Sequence, residues 1–210
     1  MSLVLAAVLG YLVGAIPFGL IIGRLTRGID LREYGSHRTG ATNALRTLGM
    51  RAAAAVFLLD VAKGVSAVLL GRALFGGDPL VEWTAAAAGL AAIVGHNWSL
   101  FIGFTGGRGV ATSAGALGAM SVWTIVILAP IVALLIWRSR YVSLGSISGA
   151  LGAPVITAAL AAIGAATVPA IAYALGSGLL VTAAHADNIA RLRAGTERKI
   201  GQKETVGTHG

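Results

Sequence analysis

The sequence predicts an all-α, polytopic membrane protein, and three observations lead to this prediction. Of the 210 residues, 56% are Ala, Val, Ile, Leu, Met, Phe, Trp, Tyr or Cys, and the mean hydropathy is +0.83. Only 11% are Asp, Glu, Lys or Arg, against roughly 25% in a soluble globular domain. The apolar residues fall into stretches of about 20, the length at which a helix crosses a bilayer. This composition excludes a disordered chain and argues against a water-soluble one.

The charged residues and the absence of cysteine narrow the functional classes. Without cysteine the chain has no disulfide, no thiol nucleophile and no zinc–cysteine site. Sixteen Lys and Arg against eight Asp and Glu give a net charge of +8. In a membrane protein this excess is typical of cytoplasmic loops, and a site for anionic substrates is the second interpretation. We therefore expect no nucleic-acid partner.

The first apolar stretch, residues 3–23, is expected to be a retained span rather than a cleaved signal. No basic residue precedes it, whereas Arg24 and Arg27 follow it. The positive-inside rule then places the N-terminus outside. By the same rule, the Arg-rich segment 30–51 is cytoplasmic, and further spans are expected at 52–75, 83–101, 146–165 and 168–184.

The apolar run 110–137 ends at Arg138 and Arg140, which a single long helix would place outside. A hairpin of two shorter helices, broken near Gly118 to Ser121, keeps both ends inside and is preferred. The prediction is thus seven transmembrane or half-membrane helices, with the N-terminus outside and the C-terminus cytoplasmic. Residues 1–200 form one integral-membrane domain, and residues 201–210 form a short polar cytoplasmic tail.

Glycine is abundant, with 30 residues, and many lie in regularly spaced small-residue patterns. Examples are the pair Gly10 and Gly14 and the set Gly145, Gly149 and Gly152. Small residues allow helix backbones to approach closely in lipid, so we interpret these glycines as packing positions.

The first polar cluster spans residues 35–43 and is followed by Arg46. It combines glycines, hydroxyls, an amide and arginines, which are the groups that phosphate sites use. Thr42 and Asn43 could also cap a following helix. The alternative is an ordinary turn and helix cap beside arginines that contact lipid headgroups.

The second cluster runs from Gly95 and His96 to Thr112 and contains Gly106-Gly107-Arg108-Gly109. A glycine-rich loop with an arginine before a helix is a candidate anion site. The alternative interpretation makes His96 a polar cap and the neighbouring aromatic residues an interfacial belt.

The third cluster spans residues 185–199. On a continuous helix, His185 and Asn188 share one face. Gly195 would end that helix in a left-handed cap and let Glu197 fold back toward His185. The alternative is a solvated basic helix end. A single histidine without cysteine is a poor ligand set, so no metal is expected.

Two smaller features complete the polar inventory. Asp60 and Lys63 lie inside the second span at a spacing that allows them to neutralise each other. Such intramembrane charges are costly, and a functional role is the alternative. Ser143 and Ser146 supply further donors after the predicted hairpin.

Taken in order, the three clusters resemble the signature motifs of the acyl-phosphate:glycerol-3-phosphate acyltransferases, the PlsY family of bacterial inner-membrane enzymes. The third motif, His-x-x-Asn-Ile-x-Arg-Leu-x-x-Gly-x-Glu-x-Lys, is complete from His185 to Lys199. The first and second motifs match at most positions. The chain departs from them at His37, Arg38 and Thr39, where the family has Gly-Asn-Pro, and at Thr105 and Arg108, where it has lysines.

The resemblance implies transfer of a long acyl chain from acyl phosphate to the 1-hydroxyl of sn-glycerol 3-phosphate. The products are lysophosphatidic acid and inorganic phosphate, in phospholipid biosynthesis, without cofactor or metal. It implies a bacterial inner-membrane location, a cytoplasmic active site and an upstream enzyme that produces acyl phosphate. We expect the chain to function as a monomer.

The family pattern assigns roles to residues of all three clusters. The proton acceptor stays open between His185 and a substrate phosphate. The catalytic residues are expected to be Ser36, Arg108, His185, Asn188 and Glu197, with Glu197 orienting His185. The phosphates are expected to contact Ser36, Thr42, Asn43, Arg46, Gly107, Arg108, Ser143 and Ser146.

Two rival functions are a membrane transporter of a phosphorylated solute and a lipid-binding membrane protein without catalysis. Transporters place polar groups near the bilayer midplane, often in two repeated halves. Here the polar groups cluster at one predicted face, and the sequence has no internal repeat. The departures at residues 37–39 leave room for an altered substrate.

Overall fold

The computed structural model describes residues 1–201, and within them the chain is helical, as predicted. Of the tail expected at 201–210, all but Gly201 lies outside the described residues. The helices are α1 (Ser2–Ala15), α2 (Phe18–Arg27), α3 (Ala41–Thr47), α4 (Met50–Leu74), α5 (Val81–Asn97), α6 (Val110–Met120), α7 (Val122–Ser139), α8 (Val142–Ala162), α9 (Val168–Ala184) and α10 (Ala186–Arg193).

Several helices meet the requirements for crossing a membrane. Four segments in the described part of the chain are long and apolar enough: Ser2–Arg27, α4, α7 and α8. A fifth is obtained if α9 and α10, which meet at a bend of 61°, are counted as one span. Helices α5 and α6 are shorter, with 17 and 11 residues. These findings support a multi-pass membrane protein, while seven spans and an external N-terminus stay predictions.

The first span, expected at residues 3–23, covers Ser2–Arg27 and is divided into two helices. Helix α1 ends at Ala15 and α2 begins at Phe18. Pro17 explains the break, because proline has no N–H and disfavours helical geometry in the residue before it. The carbonyl of Ile16 at the break accepts a hydrogen bond from Lys63 Nζ at 3.1 Å.

The other boundaries follow the sequence more closely. The run 110–137 divides at Ser121 into α6 and α7, as predicted. Pro130 lies inside α7 without ending it. Helix α8 begins at Val142, earlier than expected, and therefore carries Ser143 and Ser146 in its first turns.

Small residues bring the helices close together, as the glycine spacing predicts. Gly10 and Gly14 of α1 pack directly on the backbone of Ala88 and Ala92 in α5, so that a Cβ at either glycine would collide. Gly145, Gly149 and Gly152 of α8 face the side chains of α7. In the same way, Gly64 of α4 and Gly115 of α6 each pack on the backbone of the other helix and bring the two helices close together.

Candidate active site

The three polar clusters meet around one cavity of about 390 Å³. It lies where the loop before α3, the start of α6, the first turns of α8 and the segment around α10 converge. The predicted site residues that line it are Ser36, Thr42, Asn43, Arg46, Arg108, Ser143, Ser146, His185, Asn188 and Glu197. Gly107 is not part of this lining and lies behind Arg108, against the ring of His96.

Asn43 organises the first cluster. Its Oδ1 accepts a hydrogen bond from the Ser36 N–H at 3.0 Å, and its Nδ2 donates to the carbonyls of Leu31, Tyr34 and Arg38 at 2.8–3.0 Å. The amide is therefore fully engaged with the loop backbone. This arrangement differs from the expected phosphate contact, since no donor is left over, and it gives Asn43 the role of holding the loop at the cavity.

The expected helix cap in the first cluster does not form. Helix α3 begins after Gly40, and neither Thr42 nor Asn43 caps it. Thr42 instead faces the cavity from the first turn of the helix. Asn43 is not available as a cap, because its amide is bonded to the preceding loop.

The three residues that differ from the family's first motif, at positions 37–39, lie in different surroundings, and one of them lines the cavity. His37 adopts a left-handed backbone with φ of 56° and donates from Nδ1 to the Arg32 carbonyl at 2.8 Å, outside the cavity. Thr39 is buried, and its N–H donates to the carbonyl of Gly106 at 3.4 Å. Arg38 lines the cavity. Arg38 was not among the predicted site residues, although an arginine in the first cluster is the kind of group that a phosphate site uses.

Thr105 occupies a position where the family carries lysine, and it lies away from the cavity. Its side chain contacts Arg32, which donates to Thr105 Oγ1 at 3.0 Å, and it donates in turn to the Ile102 carbonyl at 2.8 Å. Thr105 is not part of the cavity lining.

The second cluster rests on a buried contact, between Asp60 and His96, that the sequence did not predict. Asp60 forms the expected ion pair with Lys63, at 2.9 Å, but it also lies 3.5 Å from His96 Nδ1. The backbone carbonyl of His96 accepts a hydrogen bond from the Gly107 N–H at 3.0 Å. The His96 ring packs against Gly107 and leaves no space for a Cβ there. Asp60 and His96 both line the cavity wall. Nothing in the spacing of two residues on different helices signals this contact.

Arg108 projects from the glycine-rich loop into the cavity. Its side chain is 15% exposed, and its Nη2 donates to Asp187 Oδ2 at 2.7 Å. Its Nε is buried without a hydrogen-bond partner among residues 1–201. Burial lowers the pKa of Arg108, the Asp187 carboxylate opposes this, and the nearby cations Arg38 and Arg191 lower it further. The side chain thus offers a desolvated N–H that suits an anion.

His185 lies at the bend between α9 and α10 rather than on a continuous helix. Its Nδ1 is 2.8 Å from the carbonyl of Val181. Since a carbonyl only accepts hydrogen bonds, Nδ1 carries the proton, and Nε2 of the neutral ring is an acceptor. This contact, and not Glu197, sets the ring orientation.

Glu197 is brought back to the cavity by Gly195, whose left-handed φ of 70° follows the end of α10. This turn is as predicted, but its partners differ from the expected His185. The Glu197 carboxylate accepts hydrogen bonds from Asn188 Nδ2 at 2.7 Å, Ser143 Oγ at 2.9 Å and Arg191 Nε at 2.8 Å. Glu197 therefore orients Asn188.

The hydrogen bonds to Glu197 determine its charge and the direction of its neighbours. Burial opposes the ionised form, but the bonds from Asn188, Arg191 and Ser143 outweigh it and lower the pKa of Glu197. An ionised carboxylate only accepts, so the Asn188 amide must turn its NH₂ toward it. Asn188 Oδ1 is then left buried with no partner among the described residues. The Ser143 hydroxyl donates its hydrogen bond to Glu197. The Ser146 hydroxyl donates to the Val142 carbonyl at 3.0 Å.

The cavity is therefore divided by chemistry into two polar halves. Donors and cations line the first half, at Ser36, Arg38, Arg46 and Arg108. Two acceptors, His185 Nε2 and Asn188 Oδ1, characterise the second half. Such a site suits an anion that also carries a hydroxyl. In the described part of the chain, no group of three or more His, Asp and Glu side chains could hold a metal ion.

An apolar wall extends from the polar halves toward the surface of the helices. Ala129 and Ala133 of α7 line the cavity and are exposed, as is Phe57 of α4. A second cavity of about 120 Å³ continues beside the first between α6, α7, α8 and α9. The two cavities share Val110, Ala129, Val132 and Ser146. This surface suits a long apolar chain.

Comparison with known proteins gives a consistent result over the whole chain. A family model described as glycerol-3-phosphate acyltransferase matches residues 4–195. Glycerol-3-phosphate acyltransferase from Synechococcus sp. strain JA-3-3Ab is 47% identical over 97% of this chain and 96% of its own length. Glycerol-3-phosphate acyltransferase 3 from Dehalococcoides mccartyi strain 195 is 42% identical over 96% of this chain and 97% of its own.

Solved structures agree with these matches. The crystal structure of PlsY, an integral membrane glycerol 3-phosphate acyltransferase, in its glycerol 3-phosphate form is similar with a TM-score of 0.84. The identity is 36%, and the match covers 96% of each chain. The lysophosphatidic acid form gives a TM-score of 0.83 at 35% identity, again over 96% of each chain.

The contact between His96 and Gly107 predicts that Gly107→Ala lowers activity and that removing the His96 ring restores part of it. The added methyl group would displace the loop that carries Arg108, and overpacking of this kind costs typically about 1–3 kcal/mol. We expect acyl transfer to fall by about tenfold or more. The double variant His96→Ala/Gly107→Ala should recover part of that loss. Gly77→Ala, where nothing lies within 4 Å of the added Cβ, is the control. Equal activity in the single and double variants would contradict the steric explanation.

The lowered pKa of Glu197 predicts a pH-dependent contribution to stability. The ordinary value is 4.5, so the stabilisation is complete above that pH and is lost as the pH falls through the lower value in the folded protein. The unfolding temperature of Glu197→Gln should therefore lie below that of the parent at neutral pH, with a difference that shrinks below about pH 4.5. Glu33→Gln, at an exposed site outside the cavity, is the control. A difference independent of pH would exclude the ionised carboxylate as its cause.

Proposed function

The chain belongs to the glycerol-3-phosphate acyltransferase family, and from that premise we propose that it transfers a long acyl chain from acyl phosphate to sn-glycerol 3-phosphate. The acceptor oxygen is the 1-hydroxyl, and the products are lysophosphatidic acid and inorganic phosphate, as in phospholipid biosynthesis. One observation carries this proposal for the described residues: cations, two free hydrogen-bond acceptors and an apolar wall surround the same cavity.

The cationic half of the cavity binds the phosphate groups. Both substrates carry phosphate, and guanidinium groups bind it through paired, charge-assisted hydrogen bonds. Arg38, Arg46 and Arg108 supply the guanidinium groups, and Ser36 and Thr42 supply hydroxyls. Gly107 lets the loop approach His96 closely and so places Arg108.

The acceptor half of the cavity binds glycerol. Its hydroxyls donate to Asn188 Oδ1 and His185 Nε2, two acceptors for which residues 1–201 provide no hydrogen-bond donor. Glu197 keeps Asn188 in this orientation, because the carboxylate takes the NH₂ group. These two acceptors are neutral, so they do not repel the substrate phosphate.

The reaction needs no protein nucleophile, since the mixed anhydride of acyl phosphate is already activated. The 1-hydroxyl oxygen attacks the acyl carbon, the carbonyl oxygen gains negative charge, and the bond to the phosphate oxygen breaks. Arg108 and Ser36 stabilise the charge that develops. The hydroxyl proton passes either to His185 Nε2 or to a phosphate oxygen of a substrate.

The acyl chain lies along the apolar wall of α7. The exposed positions of Ala129 and Ala133 support an opening toward the lipid, through which the chain enters sideways. The smaller neighbouring cavity offers a continuation for its distal carbons. Ser143 and Ser146, whose protons are engaged within the protein, border this region and act in our proposal as acceptors or positioning groups.

The placement in the cell is part of the same proposal. Residues 1–200 form one membrane domain with an external N-terminus, and the cavity faces the cytoplasm at the bacterial inner membrane. The arginines around the cavity support this orientation through the positive-inside rule. A separate enzyme must supply acyl phosphate. We also propose that the chain functions as a monomer.

Purified protein in detergent is expected to release phosphate from palmitoyl phosphate only when glycerol 3-phosphate is present, with no added metal. His185→Ala should lower the rate by about 100-fold or more, as is typical when an acid–base or orienting histidine is lost. His37→Asn, which tolerates the left-handed backbone at an exposed site, should retain activity.

The product decides between this function and its rival. Formation of lysophosphatidic acid, detected by mass spectrometry, supports acyl transfer. If folded protein forms none but moves glycerol 3-phosphate across a vesicle membrane, the proposal fails in favour of transport.

The apolar wall predicts that Ala129→Phe changes the preference for acyl length. The ring would fill the region shared by the two cavities, so kcat/KM for palmitoyl phosphate should fall by about fivefold relative to an octanoyl donor. Ile131→Phe lies on the same helix at a lipid-facing position outside both cavities and is the matched control. An unchanged ratio of the two donors would place the acyl chain elsewhere.

A further inference from the structure

We propose that Asp187 is a positioning residue for phosphate binding: it holds the Arg108 guanidinium across the cavity so that the buried Nε faces the substrate phosphate. The inference rests on the proposed function, because it assumes that Arg108 binds a phosphate of a substrate. Asp187 occupies a variable position of the third motif and does not itself line the cavity.

The geometry of the ion pair supports this role. Asp187 Oδ2 accepts from Arg108 Nη2 at 2.7 Å and from Arg191 Nη2 at 3.3 Å. A guanidinium is planar, so fixing Nη2 also fixes the direction of Nε. That Nε is buried without a partner in the described part of the chain, and a buried unpaired donor is costly unless a ligand satisfies it.

Asp187 also balances the charge at the cavity mouth. Arg38 and Arg191 are close enough to Arg108 to disfavour its charge, and Asp187 favours it. Without the carboxylate, repulsion between the guanidinium groups would turn the Arg108 side chain away from the cavity. Water weakens the attraction between Asp187 and Arg108, because the Asp187 side chain is 44% exposed.

The ion pairs connect the two halves of the cavity. Arg191 bonds both to Asp187 and to Glu197, and Glu197 in turn holds Asn188. A chain of alternating charges therefore runs from Arg108 to the glycerol-binding acceptors. Asp187 is the link between the glycine-rich loop and α10.

An opposite role for Asp187 would be competition with phosphate for Arg108. The contacts favour positioning, because Asp187 engages one N–H group of Arg108 through Nη2 and leaves Nε available. Asp187 also pairs with Arg191 one turn along α10, and it does not line the cavity.

The test is Asp187→Asn, assayed with palmitoyl phosphate and glycerol 3-phosphate. We expect KM for one of these phosphate-bearing substrates to rise about tenfold, which corresponds to about 1.4 kcal/mol, with kcat changed less than about threefold. In an Arg108→Lys background the same substitution should change KM less than about twofold, because a lysine ammonium has no fixed plane to orient. Asp78→Asn, on a loop at the far end of α4, is the matched control and should behave as the parent.

The other outcomes overturn the inference. A lower KM in Asp187→Asn would mean that the carboxylate competes with the substrate. An unchanged KM, an equal effect in the Arg108→Lys background, or parallel losses of kcat and unfolding temperature would each exclude positioning. If the parent itself transfers no acyl group, the proposed function fails. The inference is then judged by whether inorganic phosphate raises the unfolding temperature of the parent more than that of Asp187→Asn.

Discussion

The hydrogen bonds that converge on the Glu197 carboxylate are the interaction on which the site depends. They join the first turn of α8, through Ser143, to Asn188 and Arg191 of α10. Because an ionised carboxylate only accepts, every donor around it must turn toward it, and the acceptors that remain must turn away. The orientation of the Asn188 amide is thus determined by one side chain, which the turn at Gly195 returns to the cavity.

A second constraint comes from burying charge in a helical membrane protein. Asp60 lies inside α4, where an unpaired carboxylate would be very costly. Lys63 neutralises it, and the break at Pro17 exposes the Ile16 carbonyl that takes a further hydrogen bond from Lys63. His96 contacts the same carboxylate and supports the glycine-rich loop. The kink in the first span and the position of the loop therefore belong to one buried network.

How far the sequence predicted the structure depended on the range of each interaction. The break at Ser121, the turn at Gly195 and the close packing of Gly10 and Gly14 are local or periodic features, and they were predicted correctly. The partners of Glu197 and Asp60 are chosen by packing between distant segments, and sequence spacing carries no information about that choice. The same is true of Asn43. Its residue type predicted a polar contact, but not that its amide would bond to backbone carbonyls of the preceding loop.

The departures from the family pattern change the side chains around the cavity. His37 takes the left-handed conformation that glycine adopts easily, and its ring is held by the Arg32 carbonyl outside the cavity. Thr39, which stands where the family has proline, contributes an N–H that ties the first loop to Gly106. Arg38 and Arg108 then add guanidinium groups to the cavity. Planar guanidinium groups bind phosphate in pairs of parallel hydrogen bonds but must be oriented to do so, so these substitutions require the rigid loops and ion pairs that surround them.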